Sequence, residues 1–239
     1  MTTSPGPRAL TRERQIAEIK RVATRLLVEK GVAGLSLREV AREMGLVSSA
    51  LYRYFATRDE LLTALIFDGY NQLGASVERA EARVDRLDVR GRWVATCDAT
   101  RRWAKAHPHE YALLYGTPVP DYHAPDVTIA AATRVAAVMG AILNDDRRSR
   151  PALGSPSVTP DVSFLEVEGL RVVMPDVAPA QYVRALMAWT QVFGFINFEL
   201  FGHFVGSVRD DRRMFAAVVE ELADLLELSP AGSDPGSAA

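Results

Sequence analysis

Cysteine is almost missing from this chain. Cys97 stands alone among 239 residues, which excludes an intrachain disulfide framework and leaves the thiol as a small buried apolar group. Lysine is scarce as well, three residues against 25 arginines. That bias fits GC-rich coding and means that an arginine here is weak evidence of a contact by itself. No apolar run is long enough to cross a bilayer, and the best stretch, residues 185–198, contains Gln191 and Asn197. A secretory leader is not visible, because a polar N-terminus with Pro5 and Pro7 gives way to charged sequence. A cytoplasmic protein with no membrane contact is expected. H-E-x-x-H, G-x-S-x-G, the P-loop and G-x-G-x-x-G are all absent, so nothing pairs a nucleophile with a base. His107 and His109 have no third ligand near them in sequence. The reading is therefore no enzyme, no catalytic residue, no metal and no cofactor.

The composition that remains is that of an all-α protein: 48% of residues are apolar, and they recur at helical spacing. The length suits two domains. Met1–Leu10 reads as a disordered tail and Thr11–Lys30 as a first helix with Ile16, Ile19, Ala23, Leu26 and Leu27 inward. Ser36 and Glu39 have capping-box spacing, as do Thr57 and Glu60. Gly45 separates a helix carrying Leu37, Val40, Ala41 and Met44 from one carrying Ala50, Leu51, Tyr54 and Phe55. This is a helix-turn-helix pattern, in which the second helix enters the major groove. Charge supports it. Residues 1–58 hold eleven Arg and Lys against five Glu, a net +6, in a chain whose total is −2; residues 59–239 therefore carry −8. Positive charge gathered at one end is the footprint of a polyanion-binding module.

Geometry within the pattern nominates contacts with double-stranded DNA. Arg38 begins the first helix of the motif and is expected on a phosphate. Ser48, Ser49 and Arg53 are candidates for base edges, and Arg53 suits either guanine or a phosphate. Tyr52 and Tyr54 offer hydroxyls to phosphates, and Thr57 and Arg58 hold the backbone beyond. Leu51 and Phe55 read as core.

From Thr11 to Leu62 the chain resembles the DNA-binding domain of TetR-type transcriptional regulators. The residues that carry this are Gly31, Ser36-Leu37-Arg38-Glu39-Val40-Ala41, Gly45, Leu51-Tyr52-Arg53-Tyr54-Phe55 and Arg58-Asp59-Glu60-Leu61-Leu62. Two departures stand out. Val47 occupies a place where many members have Ser or Thr, so Ser48 or Ser49 is expected to cap the recognition helix. Arg58 replaces the commoner Lys and is expected to serve a phosphate as well.

The rest reads as a larger helical domain, residues 59–228 after a head of 11–58, with 229–239 a second disordered tail. Expected helices are Arg58–Arg86, Asp88–Ala106, a short one from Pro108, Asp126–Leu143, a short one within Ser163–Val173, Pro179–Val205 and Asp210–Leu228. Residues 116–125 and 145–161 are loops. Residues 185–204 are apolar around nearly the whole helix, so the segment must be covered on more than one side. A homodimer interface is expected there, formed by Trp189, Phe193, Gly194, Phe198 and Phe201 with Leu222 and Leu226 of the next helix; an internal core helix is the alternative. This region resembles the WHG-type subgroup of the same family, although Phe193 stands in the His place. The family resemblance implies a pocket whose occupant releases the protein from a palindromic operator. Trp103, His107, Tyr111, Tyr115, Tyr122, Phe164, Met174 and Met187 are candidate lining residues for a small apolar or aromatic effector. A ligand-independent dimeric DNA-binding protein is the alternative, with a helical enzyme a more remote one, and repression is the family expectation.

Overall fold

The computed structural model describes residues 6–116, 118–149, 161–175 and 177–230. It is all-helical, with no strand among the described residues. The helices are α1 (Pro7–Lys30), α2 (Leu37–Glu43), α3 (Ser48–Leu51), α4 (Arg58–Glu81), α5 (Val89–Ala106), α6 (Pro108–Tyr115), α7 (Ile129–Ala132), α8 (Arg134–Ser149), α9 (Val167–Val173), α10 (Pro179–Leu200) and α11 (Asp211–Leu225). Short 3₁₀ turns precede α2 and α7.

The chain divides into two compact units, and the division is not sequential. The first contains the chain up to Tyr70 and then His107–Ile129; the second contains Asn71–Ala106 and everything from Ala130. In the first unit, Ile19, Ala23 and Leu26 of α1 close over Val40 and Ala41 of α2, Leu51 of α3 and Leu61, Leu62 and Leu65 of α4. Leu113, Val119 and Tyr122 pack against this same core. Tyr122 also shares a hydrogen bond with Thr63, at 2.9 Å between the two hydroxyl oxygens, and the Tyr70 hydroxyl donates to the Leu114 carbonyl at 3.4 Å. The head thus extends past Arg58, and the segment expected as a loop after α6 is part of its packing.

In the second unit, α5 is the central element. The Trp93 indole donates to the Val219 carbonyl of α11 at 2.9 Å. Arg101 makes a two-pronged pair with Glu199 of α10, at 2.6 Å from Nε and 2.5 Å from Nη2, and Lys105 joins the same carboxylate. Arg92 is fully buried, bound to Glu81 at the end of α4, Asp145 of α8 and the Arg86 carbonyl. A buried guanidinium persists only when surrounded by such acceptors. Cys97 is buried as expected, and burial pushes its thiol pKa well up.

Several boundaries shift from the sequence reading, each for a local reason. α1 begins at Pro7, a residue suited to a first helical turn, so residues 7–10 are helical and only residues 1–5 of the expected tail lie outside the described part. α4 stops at Glu81 rather than Arg86, where a turn closed by Val84 and Asp88 amides follows. The Asp126–Leu143 helix is three pieces, interrupted at Thr133. α10 ends at Leu200 because Gly202 takes a left-handed φ of 77°. Asp210 caps α11 by accepting from the Arg213 amide at 3.0 Å. Of the expected loop 145–161, residues 145–149 are helical and 150–160 lie outside the described residues; so do 231–239 of the expected C-terminal tail.

Candidate nucleic-acid interface

Gly45 takes a left-handed φ of 66°, which lets the chain leave α2 and start α3 after only four connecting residues. The Leu46 amide donates back to the Ala41 carbonyl at 2.9 Å, fixing the turn. Leu51 is fully buried and anchors α3, so its other side faces outward. Phe55 is core as expected.

The capping boxes differ. At α4 both halves form: the Glu60 amide donates to Thr57 Oγ1 at 3.1 Å, and the Ala56 amide donates to Glu60 Oε2 at 2.7 Å. At α2 only the forward half forms, Glu39 N to Ser36 Oγ at 3.2 Å. The Glu39 carboxylate pairs instead with Lys30 and Arg42, and their hydrogen bonds hold its pKa below the usual carboxylate range.

Between the starts of α2 and α4 lies a cavity of about 290 Å³, lined by Ser36, Leu37, Arg38, Tyr52, Ala56, Thr57 and Arg58. Four of the predicted contact residues are therefore brought together: Arg38, Tyr52, Thr57 and Arg58. Ser36, Leu37 and Ala56 were missed as lining residues. The capping pattern marked Ser36 as structural, and nothing local marked it as facing a cavity.

Charge pairing separates the arginines of the head. Arg21 pairs with Glu18, Arg25 with Glu29 and Glu43, Lys30 with Glu39, Arg42 with Glu39 and Glu43, and Lys20 with Asp68. Arg12, Arg14, Arg38 and Arg53 are exposed and have no carboxylate partner among the described residues. Arg38 in the first turn of α2 and Arg53 just after α3 bracket the helix pair, which places part of the uncompensated positive charge where the motif is expected to meet DNA.

Two predicted contacts, Arg58 and Tyr54, have partners within the head. Arg58 donates from Nε to the Leu35 carbonyl and from Nη2 to the Val32 carbonyl, both at 2.9 Å. It lines the cavity, yet its guanidinium is engaged in holding the 3₁₀ turn before α2, where a planar fork can reach two acceptors at once. Tyr54 is half-buried against the head core, with the Arg12 guanidinium 5.3 Å from the centroid of its ring. Arg12 also donates to the Arg53 carbonyl at 3.4 Å, a link 41 residues apart that no local pattern announces. Neither Ser48 nor Ser49 caps α3: the cap position is Val47, and no side-chain cap bond forms. Ser49 is exposed and Ser48 half-buried, leaving both hydroxyls for other work.

The predicted effector residues divide between the two units. Tyr111 and Tyr115 pack ring to ring in the first unit, centroids 5.2 Å apart, and burial raises both phenol pKa values. His107 lies just before α6 and is half-buried, and Tyr122 belongs to the head core. In the second unit Trp103 and Met174 are buried, while Phe164 is 69% and Met187 52% exposed. The predicted dimer residues divide too. Phe193 is buried with its ring 4.4 Å from that of Trp189, and Leu222 and Leu226 are buried in the chain's own core. Gly194, Phe198 and Phe201 face outward: both phenylalanines are 52% exposed, and a Cβ at Gly194 would meet nothing within 4 Å.

A helical head with a helix-turn-helix, an arginine without a carboxylate partner at each end of its helix pair, and a further helical unit together define a DNA-binding transcriptional regulator. Comparisons agree. Residues 19–65 match the model of bacterial regulatory proteins of the tetR family, and residues 93–222 match the Tetracyclin repressor-like C-terminal domain. The chain is 38% identical over 217 residues to the HTH-type transcriptional regulator Rv1816 of Mycobacterium tuberculosis, covering 88% of this chain and 91% of that one. A Mycobacterium bovis regulator, Mb1846, matches to the same extent. The crystal structure of SCO4313 superposes with a TM-score of 0.74 at 32% identity, over 92% of this chain and 100% of that one. A protein of unknown function from Rhodococcus sp. RHA1 shares the fold, with a TM-score of 0.66 at 24% identity over 89% of this chain and 94% of that one. The chain belongs to the TetR family of transcriptional regulators. Its relatives are regulators and not enzymes.

Proposed function

We propose that this regulator is a cytoplasmic homodimeric repressor that binds a palindromic operator and is released by a small apolar or aromatic effector. The observation that carries the DNA half is the cavity uniting Arg38, Tyr52 and Thr57 beside the unpaired Arg53. A phosphate seated there would meet one cation and two hydroxyls, positioning α3 in the major groove. Dimerisation is supported by the outward face of α10, where Met187, Phe198 and Phe201 stand half-exposed around Gly194. A glycine inside a helix costs stability relative to alanine, and close approach of a second backbone gives it a reason. A two-fold pair of heads reads two half-sites and so a palindrome. No single helix among the described residues is long and apolar enough to cross a membrane, consistent with the cytoplasm.

The effector half rests on the second unit. Thr96 Oγ1 and Asn144 Oδ1 are buried without a hydrogen-bond partner, and a polar group of an effector, or a water, would satisfy them. Release requires that the effector bind the form unable to bind DNA more tightly than the DNA-bound form. The exposure of Phe164 and Met187 favours a second reading, a dimer that binds DNA without an effector.

The test is fluorescence anisotropy of the protein on its own upstream DNA across a salt series, with sedimentation velocity for the stoichiometry. A dimer bound tightly to one palindrome, with a steep salt slope over weak competitor binding, is the expected result. Binding no better than to random DNA overturns the specific-operator reading. An apolar compound library screened against the bound complex separates the two readings: release by any member establishes an effector.

A further inference from the structure

Val47 is costly where it stands. It holds the cap position of α3 with φ −70° and ψ 141°, forms no cap bond, and is 71% exposed. Valine is among the poorest cap residues, so the position gives up a helix-capping interaction. It also gains almost nothing by packing, since most of its surface stays in water. Single exposed apolar side chains are common on proteins, and exposure alone would mean little. Here it coincides with the loss of the cap, in the first turn of the helix expected to enter the groove, beside the exposed Ser49 and Arg53. The fold gives no reason for valine at this site.

DNA supplies one. In the major groove the single apolar group on the base edges is the 5-methyl of thymine, and small apolar side chains are its natural complement. We propose that Val47 reads a thymine methyl in each operator half-site and is a specificity determinant of this regulator. The inference rests on the DNA-binding reading above and adds to it the identity of one base. Val47 closes over the methyl and removes both from water, while Ser48 and Ser49, relieved of capping, keep their hydroxyls for neighbouring polar edges. A serine at 47 would turn its hydroxyl back to the helix and leave the methyl uncovered.

Uracil differs from thymine at that carbon by the methyl alone, which gives a direct test. Operator sites are selected from random duplexes with the full-length protein. Each thymine of the consensus is then replaced by uracil, and binding of wild type, Val47→Ala and Val47→Ser is followed by anisotropy. One thymine per half-site is expected to be methyl-sensitive, its replacement weakening wild-type binding about fourfold, the factor for uncovering one methyl-sized group. Val47→Ala and Val47→Ser should bind the parent site more weakly and lose that sensitivity. Val47→Ser restores a capping hydroxyl, so it should unfold no earlier than wild type, and its loss is then not one of folding. Indifference of the wild type to every methyl, or equal sensitivity in all three proteins, overturns the assignment while leaving DNA recognition intact. Failure of any consensus to emerge overturns the DNA-reading role itself and this inference with it.

Discussion

Replacing Arg58 by methionine separates a clamp from a phosphate contact. The side chain joins the first turn of α4 to the 3₁₀ turn at Val32–Gly34 through two hydrogen bonds of 2.9 Å to the Leu35 and Val32 carbonyls. The two acceptors are not equivalent. The Val32 carbonyl also accepts from the Leu35 amide at 3.2 Å and keeps that partner in the variant. The Leu35 carbonyl has no second donor among the backbone bonds of this turn and belongs to a residue only 1% exposed. Orphaning one buried carbonyl costs ~1–3 kcal/mol, and losing a charge-assisted bond at the half-exposed one adds about 1 kcal/mol. Arg58→Met should therefore lower stability by about 2–4 kcal/mol, read as a lower urea midpoint at unchanged slope. Arg58→Lys retains the charge but reaches one carbonyl, and should lose about half as much. The decisive comparison is the salt dependence of DNA binding. A residue that neutralises a phosphate contributes about 0.9 to the slope of log K against log salt, so a clamp leaves the slope unchanged when removed. Stability within about 0.5 kcal/mol of wild type, together with a slope lowered by about one per head, would refute this reasoning and return Arg58 to the DNA backbone.

Other substitutions test the remaining contacts. Arg101→Met leaves Glu199, whose side chain is 4% exposed, with Lys105 alone, and should cost about 3 kcal/mol at pH 7, the lower end for breaking a buried pair. Burial of Glu199 raises its pKa, but hydrogen bonds from Arg101 and Lys105 outweigh this and hold it below the ordinary glutamate value. Its contribution is present at neutral pH and fades as the pH falls below about 4, so urea midpoints of wild type and variant should converge on acidification. Thr57→Ala removes the cap of α4 and should cost about 1 kcal/mol by thermal unfolding, with weakened binding to all DNA sequences alike. Gly194→Arg meets no atom of its own chain at the Cβ position; circular dichroism should be unchanged while sedimentation shows monomers, and persistence of the dimer would remove α10 from the interface.

The legible parts of this molecule were those encoded by short spacings. The cap pattern Thr57–Glu60, the glycine at 45 and the apolar rows of α1 and α4 all act within one or two turns of chain, and the structure follows them closely. What escaped involves partners far apart in sequence or a competition between neighbours. Arg58 looks like a phosphate ligand until Leu35, 23 residues back, is seen to hold it. Glu39 fits a reciprocal box, but Lys30 and Arg42 outbid the backbone amide for its carboxylate. Leu222 and Leu226 have the apolar character of an interface and of a core equally, and only burial distinguishes the two. Arg92, fully buried, carries no local mark, because its acceptors join the turn after α4, at Glu81 and Arg86, to Asp145, 53 residues on.

The discontinuity of the head bears on how such a regulator can be rewired. A chimera that fuses residues 1–70 to a foreign body would bring the motif but leave behind Leu113, Val119 and Tyr122, which cover its core from residues 107–129. The graft would expose apolar surface and strand the Thr63 hydroxyl. The transferable cassette is a two-piece one: a new operator address moves between bodies only when the second piece travels with the first, or when the recipient supplies residues of matching shape at that place.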